Sequence, residues 1–216
     1  MPPPGTRSPQ SDPTRARIVA AAETLFAQQG FAGTTMRALT TAAGTNLAAV
    51  NYHFGSKEGL LETVFRTYLE PISAERIRLL DEAEALAAGQ PVPLRTLIEH
   101  YVEPAVRTLA RDRAGIPSLV SRLHHEPHPA VEELILKLTQ PVIARYAAAV
   151  QKSLPHLDLQ SILIRGHLMT GSMLYILGNG RLLMNKQALA SGGPPSEADL
   201  IQELIDFCVA GFRQDA

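Results

Sequence analysis

Cysteine and large aromatic side chains are scarce in this chain of 216 residues. It has one cysteine, Cys208, and no tryptophan, and aromatic residues make up 5% of it. A single cysteine excludes an intrachain disulfide and leaves no thiolate cluster for a structural zinc. Because disulfides are typical of oxidising compartments, we predict that the protein works in the reducing cytoplasm.

Long hydrophobic runs are missing as well. The most apolar stretch, at 168–178, is shorter than the roughly 20 residues that an α-helix needs to cross a bilayer. Residues 1–12 are rich in proline and contain no apolar segment of the kind found in secretory signals. We therefore expect residues 1–12 to form a disordered tail, and we expect no membrane partner.

The chain also lacks the common catalytic motifs, such as a nucleophile elbow, a phosphate-binding loop or a dinucleotide-binding motif. One polar cluster, SRLHHEPHP at 121–129, offers three histidines and a glutamate as metal ligands. Pro127 disfavours the continuous helix that would align His124 with His128, and the order is not the His-Glu-x-x-His of zinc hydrolases. We predict that the protein binds no metal and no cofactor and is not an enzyme. The alternative is an enzyme that uses a metal or an acid–base pair at 124–128.

The net charge is small, −1, but it is unevenly distributed. Residues 1–60 carry five basic and three acidic side chains, whereas the remainder carries 15 and 18. This excess is far below that of most nucleic-acid-binding domains, so charge alone identifies no partner. It favours the N-terminal part as the place for a polyanion.

Residues 13–59 contain a regular series of helix signals. Apolar residues recur at helical spacing up to Gly30, which predicts a first helix over about 13–29. A two-turn helix then ends at Gly44, and a third helix follows. The predicted N-terminal caps are Asp12, Thr34, Asn46 and Ser56. These signals predict three short helices in one small domain.

The outward face of the third helix is unusually small and polar. Ala48 and Ala49 let a partner approach the backbone closely, while Asn51, Tyr52 and His53 offer hydrogen-bonding groups. A DNA major groove admits one α-helix, in which asparagine can pair with an adenine edge and an alanine methyl can meet a thymine methyl. Helix, glycine turn and helix is also the order of the helix-turn-helix motif.

The same residues carry a family resemblance. The stretch GTTMRALTTAAGTNLAAVNYHFGSKEGLL, residues 33–61, resembles the DNA-binding domain of the tetracycline-repressor (TetR) family, and RIVAAAETLFAQQGFAGTT before it resembles the family's first helix. The resemblance implies an all-α homodimer. It would have an N-terminal three-helix helix-turn-helix domain at 13–59 and a larger C-terminal helical domain at 60–216 for dimerisation and effector binding. It also implies a repressor that leaves a palindromic operator on double-stranded DNA when a small-molecule effector binds.

The resemblance further implies roles for individual residues. Thr35 and Arg37 would hold the DNA backbone or a base edge, and Lys57 would take a phosphate. The reading surface of the third helix would comprise Leu47, Ala48, Ala49, Asn51, Tyr52 and His53, with the cap Asn46 beside it. Asn51 stands where the family commonly has a tyrosine. Each residue also has an alternative role that needs no DNA. Asn46 would only be a helix cap, Tyr52 and His53 would be half-buried surface residues, and Arg37 would form an ion pair with Glu58.

The C-terminal half reads as longer helices interrupted by proline. Pro104 and Pro141 lie inside two of them and predict kinked walls of a pocket. The two most apolar patterns, at 157–178 and 197–214, resemble the helix pair with which the family dimerises; the alternative is that both form the core of a monomer. A flexible loop is expected at 189–196.

The stretch NLAAVNYHFGSK is similar to members of the family that respond to fatty acids or acyl-CoA, which implies an apolar effector. Arg165 and His167 lie in an apolar helical pattern, where a buried charge needs an acidic side chain or an effector carboxylate as partner. With Tyr101 and Arg122 they form our candidate effector set. The alternative function is a TetR-like DNA-binding adaptor that acts through a protein partner without an effector; a cavity smaller than about 300 Å³ would favour it.

Overall fold

The computed structural model describes residues 12–111, 119–120, 122, 128–185 and 196–214. These residues form eight α-helices and no strand, which confirms the all-α class. The helices are α1 (Pro13–Gly33), α2 (Met36–Ala43), α3 (Leu47–Phe54), α4 (Lys57–Ala87), α5 (Leu94–Arg111), α6 (Pro129–Ser153), α7 (Leu159–Asn185) and α8 (Glu197–Arg213). Residues 1–11 of the expected tail 1–12, residues 124–127 of the alternative metal or acid–base site at 124–128, and residues 189–195 of the expected loop 189–196 lie outside the described residues. Among the helices that are described, none combines the length and apolar character required to span a membrane.

Side-chain caps set the start of each short helix. Asp12 accepts a hydrogen bond from the Thr14 N–H, and Asn46 accepts one from the Ala49 N–H at 2.9 Å. The prediction for α2 was one residue off. Thr35 rather than Thr34 is its cap, since the Thr35 hydroxyl accepts from the Ala38 N–H at 3.1 Å. Thr34 is instead buried and donates to the Gly30 carbonyl at 2.7 Å.

Gly30 interrupts α1 near the predicted end of the helix. Its φ of 75° and ψ of 173° lie in a region that only glycine adopts without strain. The break turns Phe31 into the core, where its ring lies 5.7 Å from that of Phe26. One further turn then leads to α2.

The two short helices are held by a shared core, because two turns are too few for independent stability. Each contributes one or two fully buried side chains that pack against α1 and the start of α4. This core consists of Ile18, Ala22, Phe26, Phe31, Leu39, Ala43, Val50, Leu60 and Leu61. The helix-turn-helix domain is therefore one packed unit, on which the outer face of α3 is left exposed.

α4 joins the two parts of the chain. Its first residues complete the N-terminal core, and its later turns pack against α5 and α6. The buried stripe of this second part is Leu69, Ile72, Arg76, Leu80 and Ala83. Ion pairs between Arg145 and both Asp81 and Glu84 fasten α6 alongside it. The remaining helices close the C-terminal domain, with α8 packed on α5 and α7.

Candidate nucleic-acid interface and C-terminal cavity

One face of α3 is exposed along its whole length. Leu47, Ala48, Asn51 and Tyr52 lie on it, and Tyr52 is 85% exposed. Their spacing of one, four and five residues places them on one stripe of an α-helix. Val50, on the opposite side, is completely buried. We call this stripe of four residues the α3 face.

His53 does not share the α3 face. Its side chain is only 12% exposed, and its Nε2 lies 3.5 Å from Oδ2 of Asp12 at the start of α1. The Thr14 N–H and, to a smaller degree, His53 hold the pKa of Asp12 below its usual value. His53 also packs edge-on against the Tyr52 ring, with centroids 5.0 Å apart. The structure thus gives His53 a supporting position behind Tyr52. Ala49 is also half-buried and does not belong to the α3 face.

The residues expected to contact DNA beside the α3 face lie at the starts of helices. Thr35 and Arg37 are exposed at the start of α2, and Asn46 is exposed at the start of α3. The oxygens of Thr35 and Asn46 are used as caps. The N-termini of α2 and α3 are therefore both exposed on this domain, and helix N-termini favour anions.

Lys57 has a structural contact that the sequence did not indicate. Its Nζ donates to the Thr34 carbonyl at 2.7 Å and lies 4.2 Å from the centroid of the Phe31 ring. These contacts tie the start of α4 to the connection between α1 and α2. An ammonium has three donors, so the contact with Thr34 leaves donors for an outside phosphate.

Gly59 makes the tight turn between α3 and α4 possible. A Cβ at this position would lie 2.1 Å from the Phe54 carbonyl oxygen, which is far inside contact distance. The Gly59 N–H also donates to the Ser56 hydroxyl, which confirms Ser56 as the cap of α4. This close approach fixes the angle between α3 and α4.

A cavity of about 260 Å³ lies between α5, α6 and α7, and Phe212 of α8 also lines it. Most of its wall is apolar, and the exposed Leu136 lies at its edge. The polar side chains in the wall are Tyr101, Thr139, Tyr146, His167 and Thr170. Its volume is slightly below the range of about 300 to 1,000 Å³ that is usual for small-molecule sites.

The structure separates the four candidate effector residues. Tyr101 and His167 line the cavity, and His167 Nδ1 lies 2.7 Å from the Leu163 carbonyl. Arg165 does not line it: its Nη1 donates to the carbonyls of Phe212 and Gln214, at 2.9 and 2.7 Å. Basic side chains stabilise helix C-termini in this way, so Arg165 is a cap of α8. Arg122 is exposed and is not part of the described wall.

Arg76 is a charged residue behind this cavity that sequence reasoning missed. It is 8% exposed, and its guanidinium lies 3.7 Å from the centroid of the Tyr101 ring. Its Nε donates to the Tyr101 carbonyl at 2.7 Å, and the Tyr146 hydroxyl donates to the Arg76 carbonyl at 2.9 Å. Burial lowers the pKa of Arg76 and raises that of Tyr146. Helical phase would have revealed the position, because Arg76 follows Ile72 by four residues and Leu69 by seven.

Large apolar side chains are exposed along α7 and α8. Leu168 and Tyr175 of α7 and Phe207 of α8 line one groove between these helices, and Phe207 is 70% exposed. His167 and Gly171 line both this groove and the cavity. α7 therefore separates an apolar surface from an internal space.

Two family models match the chain. Residues 18–64 match the bacterial regulatory proteins of the tetR family, and residues 99–211, just over half of the chain, match the tetracyclin repressor-like C-terminal domain. The HTH-type transcriptional repressor NicS of Pseudomonas putida is 35% identical over 86 residues, which are 38% of this chain and 41% of that protein. The HTH-type transcriptional dual regulator CecR of Shigella flexneri is 29% identical over 148 residues, 65% of this chain and 66% of that protein.

Solved structures share the fold. The fatty acid degradation regulator FadR from Bacillus halodurans superposes with a TM-score of 0.61 at 14% identity, covering 94% of this chain and 98% of that one. The transcriptional regulator PfmR from Thermus thermophilus gives 0.59 at 17% identity, covering 92% and 100%. At these identities the likeness concerns the architecture of helices and not the ligand.

Proposed function

Because the chain belongs to the TetR family of bacterial transcriptional regulators, we propose that it is a homodimeric repressor whose α3 reads a palindromic operator and whose C-terminal cavity takes a releasing effector. The family consists of DNA-binding regulators and not of enzymes. The observation that carries the proposal is the α3 face, an exposed helical stripe of small and hydrogen-bonding side chains. We place its action in the cytoplasm.

The chemistry of the α3 face suits the major groove. Asn51 can donate to and accept from an adenine edge at once, and the Ala48 methyl can meet a thymine methyl. Tyr52 extends beyond the helix, supported from behind by His53. In this arrangement Asn51 gives sequence preference, while Leu47 and Tyr52 add contact area at either side.

Charge and helix ends supply the sequence-independent part of the affinity. We assign phosphate contacts to Arg37, to the remaining donors of Lys57, and to the exposed N-termini capped by Thr35 and Asn46. Phosphate contacts position a protein on the duplex without reading its sequence. They also make affinity fall with salt, by a slope of about one for each phosphate neutralised.

Dimerisation through α7 and α8 would supply the symmetry of the operator. An exposed apolar groove with Leu168, Tyr175 and Phe207 is the kind of surface that monomers rarely leave uncovered. A two-fold axis there would set two α3 helices about 34 to 36 Å apart, one turn of DNA. Release follows if an effector binds better to the state in which this spacing is wrong.

The effector that we propose is apolar, a fatty acid or acyl-CoA. The cavity wall of leucine, isoleucine, valine and methionine side chains supports an aliphatic ligand. FadR of Bacillus halodurans, which shares the architecture, is a regulator of fatty acid degradation. This neighbour supports the idea and does not assign the ligand of this chain.

The test of operator reading compares Asn51→Ala with Arg37→Ala on DNA fragments that the wild type selects from a random library. Asn51→Ala should lose preference at one base pair in each half-site, by about 1 to 3 kcal/mol. Arg37→Ala should weaken selected and random DNA alike and lower the salt slope by about one. If Asn51→Ala keeps the wild-type preference at every position, the assignment of Asn51 to base reading is wrong.

The small volume of the cavity, about 260 Å³, favours one second candidate. This is a DNA-binding adaptor that acts through a protein partner without an effector. Native mass spectrometry of the purified dimer separates the two functions. A co-purified small molecule, or release of operator DNA by any compound of a panel, supports the effector; a stable complex with a protein partner on DNA that no compound affects supports the adaptor.

A further inference from the structure

Arg76 is a buried cation without a carboxylate partner among the described residues. The acceptors it reaches are the Tyr101 carbonyl at 2.7 Å and the Met173 sulfur at 3.9 Å, and its guanidinium lies against the Tyr101 ring. Burial is the main cause that lowers the pKa of this guanidinium. Nearby acidic side chains on α4 are engaged elsewhere, as Glu75 and Glu82 both pair with Arg78 on the outside of the helix.

Such a charge is costly to keep. Removing a guanidinium from water is unfavourable unless an opposite charge compensates it, and replacing buried ions with apolar side chains is often neutral or stabilising. The aromatic face of Tyr101 and its carbonyl offset part of this cost. The neighbours of Arg76 in the buried stripe, Ile72 and Leu80, show that an aliphatic side chain suits this helix face.

Two tyrosines connect Arg76 to the cavity. Tyr101 and Tyr146 both touch Arg76 and both line the cavity, and their rings pack edge to face with centroids 5.2 Å apart. The Tyr101 hydroxyl lies 3.4 Å from the Thr170 hydroxyl, also in the wall. The Tyr101 and Thr170 hydroxyls therefore lie together in the largely apolar wall, and the guanidinium of Arg76 packs on the ring of that same Tyr101.

We propose that Arg76 provides the counter-charge for a monoanionic amphipath, in which a carboxylate sits at the Tyr101 and Thr170 hydroxyls and an aliphatic chain fills the rest of the cavity. This inference rests on the proposed effector function and narrows it. One buried positive charge matches one negative charge, which a free carboxylic acid carries at neutral pH. An acyl-CoA carries several charges, and its acyl end is an uncharged thioester, so it fits neither the charge nor the size of this cavity.

The experiment measures binding of decanoate, 1-decanol and decanoyl-CoA to the full-length wild-type protein at pH 8, without DNA, by calorimetry. The three probes share the aliphatic chain and differ in the head group. We expect decanoate to bind at least tenfold more tightly than decanol and decanoyl-CoA. Equal binding of decanoate and decanol, or no binding of decanoate, would overturn the inference without any variant being made.

Variants then assign the preference to Arg76. Arg76→Met removes the charge at similar length and should bring decanoate to within twofold of decanol, while Arg76→Lys should retain most of the preference. The matched control is Arg165→Met, which removes a cation that faces carbonyls of α8 and should leave the preference unchanged. A tenfold preference for decanoate that persists in folded Arg76→Met would refute the role of Arg76.

The result is independent of the proposed repressor function. Operator binding by the ligand-free wild type tests that function, and it fails if no DNA sequence is preferred. If decanoate binds through Arg76 but leaves operator affinity unchanged, the head-group assignment stands and the proposed release by this ligand is wrong.

Discussion

The ring of His128 packs edge-on against the ring of Phe31, with centroids 4.8 Å apart. His128 is the cap of α6, where its Nδ1 accepts the Ala130 N–H at 3.2 Å. Phe31 belongs to the N-terminal core and carries Lys57 on its ring. Since α6 also forms part of the cavity wall, this one contact joins the wall to the domain that presents α3.

Replacing His128 should separate its two roles. His128→Asn keeps a good capping residue but removes the ring on Phe31, whereas His128→Ala removes both. We expect His128→Ala to lose about 1 kcal/mol of stability and His128→Asn to lose little. Both should reduce severalfold the loss of operator affinity caused by a releasing compound. Equal release from His128→Asn and the wild type would show that the Phe31 contact transmits nothing.

Gly59→Ala should disrupt the turn between α3 and α4. The new methyl would meet the Phe54 carbonyl oxygen at 2.1 Å, so backbone must move. Overpacking of this kind costs about 1 to 3 kcal/mol, or several degrees in Tm for a chain of this size. Gly33→Ala is the control, because its methyl meets Gln29 at an ordinary 3.5 Å. Thermal unfolding that shows equal Tm for the two variants would contradict this account.

Lys57→Met should affect both stability and DNA binding. Methionine keeps an aliphatic stem over Phe31 but cannot donate to the Thr34 carbonyl, a loss of about 1 kcal/mol. Arg37→Met, at an exposed position, should leave the urea midpoint unchanged. Both variants should lower the salt slope of DNA binding by about one. A destabilised Lys57→Met with an unchanged salt slope would mean that Lys57 is structural and touches no phosphate.

Phe207→Glu should break the proposed dimer. It puts a charge in the apolar groove between α7 and α8, where Phe207 is exposed in a single chain. Light scattering after gel filtration should show a monomer, and operator affinity should fall with it. Leu86→Glu is the matched control, since Leu86 is also a largely exposed apolar side chain but lies near the end of α4. A dimeric Phe207→Glu would place the interface elsewhere.

Cys208 should be nearly inert in the native protein. Burial raises the pKa of its thiol to about 11, and the thiolate is the reactive form. At pH 8 such a thiol is about 0.1% ionised, against about 25% for an ordinary cysteine. Alkylation by iodoacetamide should therefore be at least a hundredfold slower than in guanidinium, and it should accelerate about tenfold per pH unit up to pH 10. Similar native and unfolded rates would show that Cys208 is accessible.

Local features of the fold could be predicted from sequence because their causes lie within a few residues. The caps Asp12, Asn46 and Ser56 follow from side chains that bond to N–H groups two or three positions away. The error at α2 arose because Thr34 and Thr35 are equally good caps. The tertiary structure decides between them, since it buries Thr34, whose hydroxyl donates to the Gly30 carbonyl.

Long-range contacts account for what the sequence did not indicate. Lys57 reaches Thr34, 23 residues away, and Arg76 reaches Tyr101, 25 residues away, so neither contact has a local signature. Arg165 was expected to need a carboxylate or a ligand, but the end of a neighbouring helix satisfies it with carbonyls. The sequence analysis did not single out Arg76, although its spacing from Leu69 and Ile72 places it on the buried stripe of α4.

The length of α4 gives the molecule a mechanical property. Lys57, beside the DNA-reading domain, and Arg76, behind the cavity, lie on one helix about 28 Å apart along its axis. A tilt of about 4° near Arg76 would displace the Lys57 end by about 2 Å, a little over a third of the rise of one helical turn. In a dimer with two-fold symmetry, the displacements of the two Lys57 ends add. Because α4 is this long, an adjustment the size of a side chain near Arg76 changes the distance between the two α3 helices of a dimer. This amplification requires no unfolding.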